Sequence, residues 1–143
     1  MERNAESERL KELMIENLRI GFPLFNDSHR VDAFKLEEEK FWIGYRTNSD
    51  NVPIDTTHFD LNIWGDVCYA LYRELEKSRR GHGLGWALYE SVHRFARKAG
   101  CRVVRCTPSG GVFIDGKMTE SRRDYLLRRG YTTFGEHEVE LVL

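Results

Sequence analysis

No apolar run in this 143-residue chain approaches the length of a bilayer-spanning helix. Residues 1–9 are charged and contain no signal-peptide core, so a cytoplasmic protein is expected. Cysteine is scarce. Cys68, Cys101 and Cys106 are odd in number and lack C-x-x-C spacing, which argues against a zinc site or a disulfide scaffold and fits reduced thiols. Net charge is almost absent as well. Lys and Arg number 22 against 23 Asp and Glu, so a broad non-specific nucleic-acid footprint is not expected. There is no internal repeat and no low-complexity tract. What remains, 41% hydrophobic and 31% charged residues, describes a globular chain whose length suits one domain, 1–143.

The apolar pattern divides this domain into elements. Leu10, Leu13, Met14 and Leu18 recur at helical spacing, and Gly21 and Pro23 stop that helix. Residues 31–36, 41–46, 59–64 and 67–75 read as strands of an antiparallel meander. Gly65-Asp66 turns one of them into the next, and residues 47–55 form a polar, turn-rich link. A helix follows over residues 84–99, with Leu84, Leu88, Val92 and Phe95 as its buried stripe and Gly100 as its stop. Residues 101–106 form a short strand, which makes strand, loop, helix and strand a βαβ crossover. Residues 107–118 read as a loop, with a turn at Asp115-Gly116. Thr119 is expected to cap a last helix that ends at Gly130, and residues 131–134 and 139–143 close the chain as edge strands. The fold class is α+β, a mixed central sheet with an antiparallel N-terminal meander and one crossover.

The chemistry concentrates in Arg80-Gly81-His82-Gly83-Leu84-Gly85, between the fourth strand and the second helix. Three glycines alternate, so backbone N–H groups can come close to a ligand. The helix N-terminus behind them adds unpaired donors and the positive end of its dipole, which together make an anion cradle suited to phosphate. A P-loop is excluded because no Lys-Ser/Thr pair follows the glycines. A dinucleotide fingerprint is disfavoured because Trp86 stands where the third glycine belongs.

The segment resembles the GNAT superfamily of acyl-CoA-dependent N-acyltransferases, whose signature loop is Q/R-x-x-G-x-G/A. Arg80, Gly83 and Gly85 fill that signature, Leu75 is the apolar residue expected five positions before the arginine, and Gly130-Tyr131 matches the pair after the last helix. The resemblance covers roughly residues 67–131. It implies a GNAT-like fold and a fourth strand that splays from its neighbour to bond a pantetheine arm. It also implies a cofactor-binding set of Leu75, Glu76, Lys77, Arg80, Gly81, His82, Gly83, Leu84, Gly85, Trp86 and Thr119. Acetyl-CoA is the co-substrate so implied, and no metal is called for. The partners are acetyl-CoA and an amine acceptor, either a small molecule or a protein, with no membrane, no nucleic acid expected, and a homodimer allowed.

The sequence departs from the family where proton transfer is concerned. The family's acid, a tyrosine four residues before the Gly-aromatic pair, is replaced by Leu126. Tyr125 lies one residue earlier, about 100° round an ideal helix and so facing elsewhere. The catalytic candidates are therefore Glu74, Tyr72 and Tyr125, the first two on one face of the fourth strand by alternation. Asp60 is a lesser base candidate. His93 reads as a helix-surface residue, and Trp42, Trp64 and Trp86 as core or edge packing. Three functions compete: N-acetyl transfer to a primary amine, a catalytically silent acyl-CoA-binding module, and an acyltransferase directed at nucleic acid or aminoacyl-tRNA.

Overall fold

A computed structural model of the protein describes residues 5–22, 25–26, 29–47, 56–74, 84–114 and 117–143. Helix α1 (Ala5–Gly21) carries Glu6 and Glu8 in its first turn and Arg19 in its last, each sign at the helix end its dipole favours. Its buried residues Leu10, Leu13, Met14 and Leu18 are the stripe read from the sequence. Strands β1 (His29–Glu37), β2 (Lys40–Thr47), β3 (Thr56–Trp64) and β4 (Val67–Glu74) then pair antiparallel in chain order. Gly65, at φ +59°, takes the left-handed conformation in the turn between β3 and β4.

Helix α2 (Leu84–Lys98) carries the chain over to β5 (Val103–Cys106), which pairs parallel to β4. A two-stranded hairpin, β6 (Gly111–Ile114) with β7 (Lys117–Ser121), leads into α3 (Arg122–Leu127). Strands β8 (Thr132–Phe134) and β9 (Glu138–Val142) complete a mixed seven-stranded sheet of order β1-β2-β3-β4-β5-β9-β8.

Four expectations change here. Residues 107–118 are not a plain loop, because β6 and β7 pair within them. The Asp115-Gly116 turn itself lies outside the described residues, as does the 47–55 link apart from Thr47, which ends β2. Thr119 does not cap the last helix. It lies within β7, and Ser121 is the cap, its hydroxyl accepting from the Asp124 N–H at 3.1 Å. The helix ends at Leu127, three residues before Gly130. The last two strands are not both edges either, since β9 inserts between β5 and β8.

All three helices cover one face of the sheet. Phe41, Ile43, Tyr45, Phe59, Leu61, Cys68, Ala70 and Val104 point to that side and are buried with the helix stripes. Phe95 of α2 meets Phe41 edge-on at 5.3 Å, and Phe22, just past α1, meets Tyr45 at 5.9 Å. The two long helices come together where Gly21 faces Ala87. A Cβ on Gly21 would stand 3.2 Å from the Ala87 Cβ, so a larger residue would push them apart. Asn17 ties the pair, donating to Ser91 Oγ at 3.0 Å and accepting from Arg94 at 2.9 Å.

The opposite face has no helix on it among the described residues. There the cross-strand register lines up Lys40, Asn62, Tyr69, Arg105 and Glu140 in one row, with Phe34, Trp42, Asp60 and Leu71 in the next. Trp64 belongs to this face and is 67% exposed, so it is not a core residue, though its ring meets that of Tyr69 edge-on at 6.3 Å. Among the described residues no helix is long and apolar enough to cross a membrane.

Candidate active site

The sheet opens at its centre. Strand β4 pairs with β5 through Val67, Cys68 and Tyr69 only, yet it continues along β3 as far as Glu74. On the β5 side, residues 70–74 therefore have no strand partner among the described residues. Backbone donors and acceptors left open in this way suit an extended ligand that adds as a strand. The N-terminus of α2 stands beside this fork.

Three polar groups from two other elements converge on the first turn of α2. A Cβ on Gly85 would lie 3.5 Å from the Tyr72 hydroxyl and 3.9 Å from both Arg122 Nη1 and the Tyr125 hydroxyl. Tyr72 comes from the unpaired half of β4, while Arg122 and Tyr125 come from α3. The Arg122 guanidinium lies 4.7 Å from the Tyr72 ring centre and 5.2 Å from that of Tyr125, so it holds the two rings together. Its backbone N–H donates to Gly110 O at 3.0 Å, which fastens α3 to the start of the hairpin.

Tyr125 sits among cations, with Arg129 at 4.7 Å and Arg128 at 5.3 Å from its ring centre. Burial raises the pKa of its phenol, while Arg129, Arg122 and Arg128 work against that rise. Tyr125 is thus a protonated O–H at neutral pH, with cations near enough to stabilise the phenolate if the proton leaves. Arg128 is itself held by Glu120, with Nη2 to Oε1 at 2.7 Å. That hydrogen bond is the main reason the Glu120 carboxyl is held below its ordinary range.

The structure thus brings together Tyr72, Tyr125 and Gly85, with Trp86 beside them. Trp86 is half-buried, with Arg129 over its ring at 4.8 Å. Tyr125 does not face away, as its position on an ideal helix suggests. The residue turned wholly into the core is Leu126, at 0% exposure. Helix α3 starts later and is shorter than expected. Glu74 ends β4 and Leu84 opens α2. Leu75, Glu76, Lys77, Arg80, Gly81, His82 and Gly83 lie outside the described residues. Thr119 belongs to β7. Arg122 was not found by sequence reasoning, because an arginine at a helix start reads as solvated and only the tertiary contacts show it buried.

His93 corrects another expectation. It is buried, not on the surface, and its Nε2 pairs with the Tyr131 hydroxyl. Burial first, and Arg97 second, lower its pKa to about 4. The folded protein therefore holds His93 neutral, whereas the unfolded chain protonates it near the ordinary value of 6.5. Above pH 6.5 its stabilising contribution is intact. As pH falls from 6.5 to about 4 the unfolded state gains the extra proton. Stability should then drop by up to about 1.4 kcal/mol per pH unit. Urea unfolding between pH 4 and 7.5 checks this, and His93→Gln should flatten that part of the profile. A wild-type profile no steeper than the variant's would contradict it.

Burial also raises the thiol pKa values of Cys68 and Cys106 strongly, Cys106 to about 12, so neither is a ready nucleophile. Among the described residues no group of His, Cys, Asp and Glu could hold a metal ion.

No protein-family model matches the chain, and no characterised protein matches it by sequence. Its structure does match others. One is the 1.9 Å crystal structure of an acetyltransferase from Bacillus cereus ATCC 14579, at 14% identity and a TM-score of 0.50, over 100% of this chain and 96% of that one. At this identity the likeness is one of fold, which the chain shares from end to end.

Proposed function

We propose that the protein is an acyl-CoA-dependent N-acyltransferase that moves an acetyl group from acetyl-CoA to a primary amine. The observation that carries this reading is the fork between β4 and β5, opening beside the N-terminus of α2, which begins at Leu84 within the Arg80–Gly85 motif. The GNAT resemblance of that motif and the acetyltransferase fold of the Bacillus cereus protein support it. In this reading the free edge of β4 binds the pantetheine amides. The N–H groups around Gly81, Gly83 and Gly85 take the pyrophosphate, with Arg80 as counter-charge.

The reaction needs two proton movements. The ammonium must lose its proton before the nitrogen can attack. A C–N bond then forms to the thioester carbonyl carbon while the C–S bond breaks, and the departing thiolate takes a proton. Tyr125 is the proposed donor to sulfur, being protonated and flanked by arginines. Tyr72 shares its space, and Glu74, two residues along β4, is the proposed base, acting through water at the fork.

Gly83→Val should lower acetyl-CoA affinity at least tenfold, or about 1.4 kcal/mol, by filling the approach to the pyrophosphate. Calorimetry on the folded variant is the check, and unchanged affinity would remove the loop from the site. A second reading, a silent acyl-CoA-binding module, is favoured by Leu126 standing at the family's acid position, buried in the core. Thiol release from acetyl-CoA across a panel of amines separates the two, since the module would bind acetyl-CoA without amine-dependent release.

A further inference from the structure

Resting on that acyltransferase reading, we propose that the groove on the helix-free face of the sheet is the acceptor site, and that it takes a small primary amine with an apolar body whose ammonium is held by Asp60. The groove encloses about 440 Å³. Small-molecule sites typically run from about 300 to 1,000 Å³. That is more room than one unbranched lysine stem fills, which favours a free amine over a protein side chain.

Its place in the fold links it to the fork. Ala70 and Leu71 line it and are the first β4 residues beyond the pairing with β5. Thr107 also lines it and is the first residue after β5 ends. The groove therefore runs up to the mouth of the fork. An amine seated in it would stand next to the carbonyl of a thioester lying between the two strands.

Its chemistry selects the ligand. Most of the wall is apolar, from the side chains of Leu36 and Leu71 to the ring of Tyr69. The two cations that line it already have counter-ions. Lys40 pairs with Glu37 at 2.7 Å, and Arg105 pairs with Glu140 at 2.9 Å while donating to the Tyr69 hydroxyl at 3.1 Å. Asp60 is the one carboxylate among the described lining residues. Its described ion partner is His58, at the long distance of 3.9 Å, and its side chain is 47% exposed. A carboxylate on an apolar wall, without a close cation of its own among these residues, attracts an ammonium through a charge-assisted hydrogen bond and disfavours an anion. Asn62, two residues along the same strand, offers a neutral polar group beside it.

The test uses the full chain and three probes of one shape: phenethylamine, phenethyl alcohol and 3-phenylpropionate. Backbone amide NMR shifts should move saturably at Asp60, Asn62, Tyr69 and Leu71 with the amine. The alcohol should bind at least tenfold more weakly and the carboxylate more weakly still. Asp60→Asn should weaken the amine at least tenfold and leave the alcohol as it was, whereas Leu71→Phe, which fills the groove, should weaken both. The assignment is overturned if the carboxylate binds as tightly as the amine, if Asp60→Asn leaves the amine unchanged, or if none of the probes moves these signals.

Acetyl-CoA titrated into the same sample keeps the two readings apart. Saturable acetyl-CoA binding without amine selectivity removes the acceptor pocket and leaves the acyl-CoA reading standing. Selective amine binding without any acetyl-CoA binding does the reverse.

Discussion

Tyr125→Phe is expected to lower kcat by roughly 10²–10⁴-fold, the usual contribution of a general acid or base, while acetyl-CoA affinity stays nearly the same. The expectation comes from three features of one side chain. The hydroxyl reaches the first turn of α2, 3.9 Å from where a Gly85 Cβ would stand. Burial keeps it protonated at neutral pH. Arg122 and Arg129 lie over its ring at 5.2 and 4.7 Å, so the phenolate left behind would be stabilised. Phenylalanine keeps the ring and its arginine contacts and deletes only the O–H, so the fold should survive. Because the phenol pKa is raised, the basic limb of the wild-type pH profile should lie far on the basic side, and that limb should vanish in the variant. If kcat is unchanged and Glu74→Gln is the impaired variant, the proton runs through β4 and not through α3. If neither substitution matters, positioning alone drives the reaction.

How far this site could be read from sequence depends on the range of the interactions that build it. Strands β1 to β4 announce themselves because alternation and turn residues are local signals. The α2 stripe of Leu88, Val92 and Phe95 is equally local and is buried as expected. The β6–β7 hairpin is different. Its opening glycines look like loop, yet Gly111 is needed so that Met118 can lie across it, since a Cβ there would stand 2.7 Å from Glu120 O. That pairing also keeps Thr119 in a strand and moves the helix start to Ser121. In the helix that follows, Tyr125 reaches Gly85 and Leu126 lies in the core.

His93 and Arg122 show the same limit from the burial side. Each is a polar residue whose neighbours in sequence suggest solvent. Each is covered by a segment far away in the chain, His93 by Tyr131 and Arg122 by Tyr72 and the β6 backbone. Local pattern cannot report such contacts. The fork is intermediate: the motif implies it through family likeness, but only the pairing of β4 with two neighbours of unequal length displays it.

The same coupling between core and site makes Phe59→Ala a strongly destabilising change. Phe59 is fully buried in β3, directly opposite Tyr72 on β4. Its ring centre lies 5.0 Å from Tyr72 and 4.9 Å from Tyr89 of α2, so it backs the site ring on one side and the helix on the other. Truncation removes the transfer energy of the ring and leaves a cavity between elements that cannot fully collapse, a loss of roughly 3–5 kcal/mol. A loss of that size is a large part of the usual 5–15 kcal/mol total. The urea midpoint should fall sharply with little change in slope, because the surface exposed on unfolding is nearly the same. Phe59→Leu should cost less, since it refills much of the space. The functional consequence separates packing from chemistry. At a temperature where Phe59→Ala remains folded, Tyr72 loses its backing and kcat should fall, whereas Phe59→Leu should keep most of it. A folded alanine variant with full activity would mean that Tyr72 is positioned by Arg122 alone, and a midpoint within error of wild type would contradict the place of Phe59 at the centre of the core.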